Sequence, residues 1–368
     1  MNKRFYHLLE SLQQNQFDAA VLNPGASFKY LTNLDFHLME RPTVLIIKTD
    51  GRAALVLPKL EVSRAETSTL PIELFPYGDN PAEWQTQFDN ALTSLDLTTQ
   101  KTALEPNRFR YLEMEYIQKS VPELNLVSGA SVFDNLRLQK DENEIQNMQT
   151  AAQIAEKALL NTLSLFKVGM TEMELASELT VQLLRAGSQG ELPFGPIVSA
   201  GPNSADPHAT PSHCQINLGD LLLIDYGAAY QGYASDITRT FAVGDVDPIF
   251  KNIAEIVKKA NLAGQTASKA GARAGEVDLA ARKVIDSAGY GAQFFHRTGH
   301  GLGMEAHEGP YMFAENDLIL KPGMVHTVEP GIYLTGKGGV RIEDDVVVTQ
   351  DGSFSLTTLP RELIIIGE

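Results

Sequence analysis

Four carboxylates and one imidazole mark this 368-residue chain for metal chemistry: Asp225, Asp236, His300, Glu329 and Glu343. Asp225 ends the apolar run Leu221-Leu222-Leu223-Ile224, and Asp236 follows a Gly-containing break at Gln231-Gly232. Two strand-like segments around a short turn predict a β-hairpin. The aspartates lie 236 − 225 = 11 residues apart. In a hairpin closed by a two-residue turn, paired residue numbers sum to an odd value, so both side chains share a face, directly or diagonally opposed. Like charges held together repel and need a counter-charge, for which a bound cation is the natural choice. One aspartate at a strand end more often binds backbone N–H groups in a turn. Two on one face, beside a buried strand, bring the two readings close to even.

The other three lie downstream. His300 sits between glycines in His296-Arg297-Thr298-Gly299-His300-Gly301-Leu302-Gly303, which lets the backbone approach something closely. Glu329 lies in Val328-Glu329-Pro330-Gly331-Ile332-Tyr333, and Glu343 in Val340-Arg341-Ile342-Glu343-Asp344-Asp345-Val346. A Gly-rich loop at 335–339 joins these segments. Their separation, 343 − 329 = 14, is even, so sharing a face requires a longer loop or a bulge, and the geometry stays open. Taken singly, His300 also reads as a core histidine and Glu343 as a solvated strand end. Taken together with a neutral imidazole, the five carry a charge of −4, which offsets two divalent cations. Oxygen-dominated ligation suits manganese, cobalt, iron or magnesium better than a thiolate-type zinc site. Zinc also accepts His and carboxylates. Cys214, the only cysteine, is not needed, and it excludes an intrachain disulfide.

The elements that must hold these residues read as follows. Residues 1–130 alternate helix and strand patterns: helices at 4–14, 82–95 and 108–120, strands at 18–22, 43–47, 53–57 and 102–104. Asp50-Gly51 between two apolar runs signals a hairpin. No ligand cluster, phosphate loop or nucleophile motif lies there. A boundary falls near 132–140, giving expected domains at 1–132 and 133–368. Asp141 opens a long acidic-fronted helix, and Thr171 to Glu174 reads as a capping box whose helix ends at Gly187. A strand at 196–200, the first hairpin, helices at 248–270 and 275–288, and a strand-rich remainder complete an α+β domain with an internally repeated plan.

Apolar content of 43% and charged content of 21% are those of a globular protein. A net charge of −16 argues against nucleic acid or an anionic membrane as partner. No apolar run approaches the ~18 residues of a membrane span, and the N-terminus lacks a signal-peptide core. The expected location is cytoplasmic.

Over about residues 140–360, the five ligand motifs and their order resemble the pita-bread metallopeptidases, the superfamily of methionine aminopeptidase, Xaa-Pro dipeptidase (prolidase) and aminopeptidase P. The N-terminal region is similar in kind to the smaller α/β creatinase-like domain of prolidases, which favours the proline-directed branch. The resemblance implies two divalent metal ions, manganese or cobalt first and iron or zinc as alternatives. It implies Asp225 as the terminal bidentate ligand of one metal, Asp236 and Glu343 as bridging carboxylates, and His300 and Glu329 as ligands completing the shell of the other metal. A water or hydroxide between the ions would attack the scissile carbonyl, with Glu329 as proton shuttle. His208, in Asp206-Pro207-His208-Ala209, and His307, in Glu305-Ala306-His307-Glu308-Gly309-Pro310, match the family's substrate-binding histidines, placed to stabilise a developing oxyanion. His296, Tyr333 and Arg341 match pocket groups. The implied substrates are dipeptides or short peptides with proline second, and the implied assembly is a homodimer.

The chain departs from the pattern at Tyr311, where some prolidases have an Arg suited to a dipeptide carboxylate. That leaves aminopeptidase P activity on longer peptides as the alternative, while Glu308, rather than Asp, favours the dipeptidase. Two rivals on the same fold, a metal-free creatinase-type hydrolase and a catalytically silent binding module, both predict lost ligand positions. All five are present.

Overall fold

The short apolar runs of the N-terminal third form one sheet in the computed structural model, which describes residues 3–367. The elements there are α1 (Lys3–Gln14), β1 (Ala19–Leu22), α2 (Ala26–Thr32), β2 (Val44–Lys48), β3 (Ala53–Pro58), α3 (Val62–Ala65), β4 (Glu73–Tyr77), α4 (Trp84–Ser94), β5 (Lys101–Leu104), α5 (Tyr111–Ser120), β6 (Asn125–Ser128) and α6 (Ala130–Arg137). The strand order is β4-β3-β2-β1-β5-β6. β1, β2 and β3 pair antiparallel, the second pair around Asp50-Gly51. The outer pairs are parallel and need crossovers, which the helices supply. Trp84, Phe88, Ala91 and Leu92 of α4 pack with Ile117 of α5 over Ala19, Val21, Val44 and Ile46 of the sheet. The chain divides into compact units at 137/138. The boundary expected at 132/133 lies inside α6, whose Val132 and Phe133 are buried.

The second unit runs α7 (Glu142–Leu165), α8 (Glu172–Ala186), β7 (Ile197–Ala200), β8 (Leu221–Tyr226), β9 (Ala229–Tyr230), β10 (Tyr233–Ala234), β11 (Ile237–Val243), α9 (Pro248–Ala267), α10 (Ala274–Ser287), β12 (Gly299–Gly301), β13 (Glu308–Met312), β14 (Val325–Val328), β15 (Gly331–Leu334), β16 (Gly338–Arg341), β17 (Asp344–Val348), β18 (Ser353–Ser355) and β19 (Ile364–Ile366). Reciprocal capping boxes start α7, between Asp141 and Glu144, and α8, between Thr171 and Glu174. Gly187 ends α8 in the left-handed region at φ 113°. The plan is stated twice: a helix pair, then a long hairpin, then a second helix pair and a second long hairpin. Ala155, Leu159, Leu175 and Leu179 of the first pair bury against Leu222, Ile224, Ile237 and Phe241. Val257 and Ala281 of the second bury with Ile332, Val340 and Ile342.

The two long hairpins have a simple arithmetic. β8 pairs with β11 and β9 with β10 in one continuous register, in which partners such as Tyr226 and Ile237, or Tyr230 and Tyr233, sum to 463. The turn between them is the two residues Gln231 and Gly232, both with positive φ (50° and 80°), as a type I′ turn requires. β14 pairs with β17 and β15 with β16 in a register that sums to 672. Its loop is the three residues 335–337, which gives the even sum. Among the described residues no helix is long and apolar enough to cross a membrane.

Candidate metal centre

Both long hairpins break their ladders in the middle, and the acidic residues stand at the breaks. In the first, Asp225 lies across from Thr238, so Asp236 is its diagonal neighbour on the same face. In the second, Glu329 and Glu343 fall directly opposite each other in the 672 register, between the paired stretches. Freed from pairing with each other, their backbone N–H groups donate elsewhere: Glu329 to Thr298 O at 2.7 Å and Glu343 to Thr238 O at 3.1 Å. Asp236 N–H donates to Asp345 Oδ2 at 3.1 Å. Each interrupted strand is thereby tied to a neighbouring element, and its carboxylate is turned into a common interior.

Asp236, His300 and Glu343 each offer a ligand atom within 4.8 Å of the others. His300 Nε2 lies 3.4 Å from Glu329 Oε1 and 3.7 Å from Asp236 Oδ2. His300 Nδ1 is 3.1 Å from Gly301 O, so the proton belongs there and the Nε2 lone pair faces the carboxylates. Gly301 is required because a Cβ there would come within 2.0 Å of Gly309 O. Asp225 Oδ2 accepts from Arg341 Nη2 at 2.6 Å. Its Oδ1 and the Oδ1 of Asp236 are buried without a hydrogen-bond partner. Glu343 Oε2 accepts from Thr238 Oγ1 at 2.5 Å, and Thr238 Oγ1 in turn accepts from Arg341 Nε at 3.1 Å.

Burial dominates the protonation of this group. Burial, then Glu343 and Asp225, holds the Asp236 carboxyl well above the usual range, and burial, then Glu329 and Asp225, does the same to Glu343. Burial pushes Glu329 up to about 7. Burial, with His307 next, holds His300 well below the usual imidazole value. A crowd of carboxylates that resist ionising, two orphaned buried oxygens and a neutral imidazole form a site short of positive charge. Hard divalent cations, which take oxygen and imidazole donors, fit that deficit. Asp225, Asp236, His300, Glu329 and Glu343 are the residues that could hold them.

The expected histidines sit around this cluster. The His307 ring meets His300 edge-on, with centroids 4.0 Å apart. His208 is exposed on the loop after Gly201–Ala205, its N–H donating to Asp206 Oδ1 at 3.0 Å. The carbonyl before it, Pro207 O, accepts from Arg341 Nη1 at 3.4 Å. Tyr333, His296 and Arg341 form a chain of donors. Arg341 Nη1 donates to Tyr333 Oη at 3.0 Å, and Tyr333 Oη lies 2.9 Å from His296 Nε2. Because His296 Nδ1 faces Arg297 O at 2.7 Å, Nδ1 carries the proton and Tyr333 donates to Nε2. Burial holds His296 down at about 4 and pushes Tyr333 up to about 12, so both are neutral at pH 7.

Several supporting residues were not anticipated from the sequence. Thr238 links Arg341 to Glu343. Asp345, fully buried, receives the Asp236 N–H. Asp278 Oδ1 accepts from Thr298 N–H at 3.0 Å and Thr298 Oγ1 at 2.8 Å, steadying the segment that carries His300. Glu172, at the first turn of α8, accepts from Ala200 N–H, Asn203 Nδ2, Ser212 N–H and Ser212 Oγ, and so clamps both ends of the His208 loop. The only sequence signals were Asp344-Asp345 beside Glu343 and an acid at each helix start.

Residues 146–350 match metallopeptidase family M24, and residues 4–139 match the creatinase/prolidase N-terminal domain. The chain is 34% identical to the Xaa-Pro dipeptidase of Lactobacillus helveticus, over 98% of each protein. Its fold superposes on the crystal structure of a dipeptidase from Pyrococcus horikoshii OT3 with a TM-score of 0.93 and 37% identity, covering 99% of this chain and 100% of that one. It also superposes on an X-Pro aminopeptidase from Thermotoga maritima, with a TM-score of 0.86 and 30% identity, covering 98% and 99%.

Proposed function

The chain belongs to metallopeptidase family M24, and we propose that it is an Xaa-Pro dipeptidase that uses Asp225, Asp236, His300, Glu329 and Glu343 to hold two divalent cations. The observation that carries this reading is the buried crowd of Asp236, Glu329 and Glu343 around the His300 lone pair, with Asp225 Oδ1 and Asp236 Oδ1 left without partners. When bound, the two ions supply Lewis acidity and lower the pKa of an attacking water. Manganese or cobalt is the proposed metal.

The chain's own groups then divide the work. Glu329, whose carboxyl sits near 7, is suited to accept and return a proton at working pH. His307 and His208 donate to the oxygen that becomes negative as the peptide carbonyl is attacked. His296 and Tyr333, neutral and aromatic, form a wall for the proline ring. A pocket specific for Xaa-Pro bonds needs shape there, because the proline nitrogen carries no N–H and its ring fixes φ.

Tyr311 lacks the charge to bind a dipeptide carboxylate, but Arg297 supplies one beside it. The Arg297 guanidinium stacks over the Tyr311 ring at 4.5 Å. After burial, which dominates all three, Arg297 also adds a pull on the protonation of Glu329, His300 and His307. A cation this close to the cluster favours a substrate ending in a free carboxylate. Aminopeptidase P activity is the second reading, supported by the likeness to the Thermotoga maritima aminopeptidase. We further propose a cytoplasmic homodimer, as the family resemblance implies.

The test is hydrolysis of Ala-Pro beside Ala-Pro-Ala by manganese-loaded protein, with a chelated control. Cleavage of the dipeptide alone is expected. Cleavage chiefly of the tripeptide would favour the aminopeptidase, and metal-loaded protein that cuts neither would overturn the proline specificity.

A further inference from the structure

We infer that Arg239 is a positioning residue for the metal centre, locking the strand that follows Asp236 against the segment that carries Glu343. The inference rests on the proposed reading that Asp236 and Glu343 hold cations.

Ligands supplied by two hairpins keep their spacing only if the hairpins are fixed to each other. Here the two meet where the second breaks its own ladder. Glu343 N–H donates to Thr238 O at 3.1 Å, and Thr238 Oγ1 donates to Glu343 Oε2. Thr238 and Arg239 lie side by side on β11, just beyond Asp236.

Arg239 is 3% exposed, and all five N–H groups of its guanidinium have acceptors. Its Nη1 donates to Thr238 O at 2.9 Å and to Glu343 O at 2.6 Å. It thereby spans the same junction from the carbonyl side, and Thr238 O accepts from both Arg239 and Glu343. Nη2 donates to Asp344 Oδ1 at 2.7 Å and Leu359 O at 2.8 Å, and Nε donates to Pro360 O at 2.9 Å. One planar fork joins the Asp236 strand, the Glu343-Asp344 step and the segment at 359–360.

The surroundings of Asp344 separate this role from plain anchoring. Asp344 is fully buried and also accepts from Thr357 Oγ1 at 2.7 Å, Arg361 Nε at 2.6 Å and Gln265 Nε2 at 2.9 Å. The Arg361 side chain shares Asp344 with Arg239, but its hydrogen bonds go to Asp344 and Gln265. It touches neither carbonyl of the junction. A lysine at 239 would keep the charge, yet an ammonium on a flexible stem does not serve five acceptors in fixed directions.

The test compares Arg239→Lys, Arg239→Gln and Arg361→Gln in the full-length protein. Calorimetric titration with manganese measures affinity, and the visible absorption of cobalt-loaded protein reports ligand geometry. Both Arg239 variants are expected to bind manganese about 10- to 100-fold more weakly and to show an altered cobalt spectrum. Arg361→Gln should keep wild-type affinity and spectrum, whatever its stability in urea. Hydrogen exchange of the metal-free protein gives the independent readout. Peptides covering residue 343 should lose protection in Arg239→Lys by more than peptides of β8 do, and should not in Arg361→Gln. Unchanged affinity and spectrum in the Arg239 variants, or an equal loss in Arg361→Gln, would overturn the inference. A wild type that binds no manganese would sink the metal reading instead, and exchange at residue 343 would still decide whether Arg239 locks the two segments. If neither Arg239 variant folds, Asp344→Asn, which loosens the hold on Nη2, carries the same measurements with a smaller expected loss.

Discussion

Arg341 Nη2 donates to Asp225 Oδ2 at 2.6 Å, and this contact sets which part of the Asp225 carboxylate remains for a cation. With Oδ2 engaged, Oδ1 is left buried and without a partner. The same guanidinium holds Thr238 Oγ1, Tyr333 Oη and Pro207 O, so one side chain joins a candidate ligand, the route to Glu343, the pocket wall and the His208 loop. Burial opposes its charge, but Tyr333, Asp225, Glu343 and Glu329 hold it protonated above even the usual arginine value.

Arg341→Lys should show how far that geometry matters. An ammonium is a point charge on a flexible stem and does not reach Asp225, Thr238 and Tyr333 in fixed directions at once. Substitution of partners that orient metal ligands typically costs about 10–100-fold in metal affinity or activity, and a loss of that size is expected here. The check is manganese titration beside kcat on Ala-Pro. Unchanged values for both would show that charge alone suffices at this position.

The carboxylate crowd makes a pH prediction whose sign is the reverse of the common one. Glu329 titrates near 7 in the folded protein and at 4.5 ordinarily, so between these values the folded state keeps a proton that the unfolded chain has lost. Its contribution to the stability of metal-free protein therefore falls as pH rises from about 4.5 to about 7. Buried histidines act oppositely: His296, held at about 4 against an ordinary 6.5, favours the folded state as pH rises through that window. Glu329→Gln cancels the histidine part, since Gln resembles the protonated carboxyl. The stability difference, wild type minus variant, should decline across the window and flatten above about 7. Urea unfolding at a series of pH values in chelator measures it, and a flat difference would remove Glu329 from the crowd. Added manganese should restore the wild type most at high pH, where fewer protons must be displaced.

Glu172 offers a test of stability away from the cluster. Its two oxygens take four hydrogen bonds from residues on either side of His208, and it is fully buried. Glu172→Ala leaves buried backbone N–H groups without acceptors and should cost roughly 3 kcal/mol, measured by urea unfolding. Turnover per folded molecule should fall as well, because the His208 loop loses both clamps. A change within about 0.5 kcal/mol, ordinary for a surface position, would show that the loop holds itself.

Much of this protein was legible because it is local. Capping boxes at Asp141 and Thr171 and the terminator at Gly187 lie within one helical turn of what they control, so residue type suffices to place them. The two-residue turn at Gln231-Gly232 sets the parity of its hairpin, and parity alone puts Asp225 and Asp236 on one face. For Glu329 and Glu343 the same argument stalled, since the Gly-rich loop did not declare its length. The folded chain uses three residues, 335–337, and the even sum then sets the two acids directly opposite. In the first unit, the short elements α2, α3, β4, β6 and α6 went unread, because four to eight residues carry too little periodicity to separate from loop.

The sequence by itself determined the candidate ligand set, the hairpins that carry it and the two-unit plan, since each follows from spacing within a segment or from the order of motifs. Tertiary structure alone decided which groups hold the candidate ligands in place. Arg341 meets Asp225 across 116 residues, Arg239 meets Glu343 across 104, and Glu172 reaches the His208 loop from another helix. Such contacts depend on how elements pack, and no local period encodes that distance. A buried carboxylate must find its partner wherever the fold brings a donor, because leaving it bare costs more than any local preference returns.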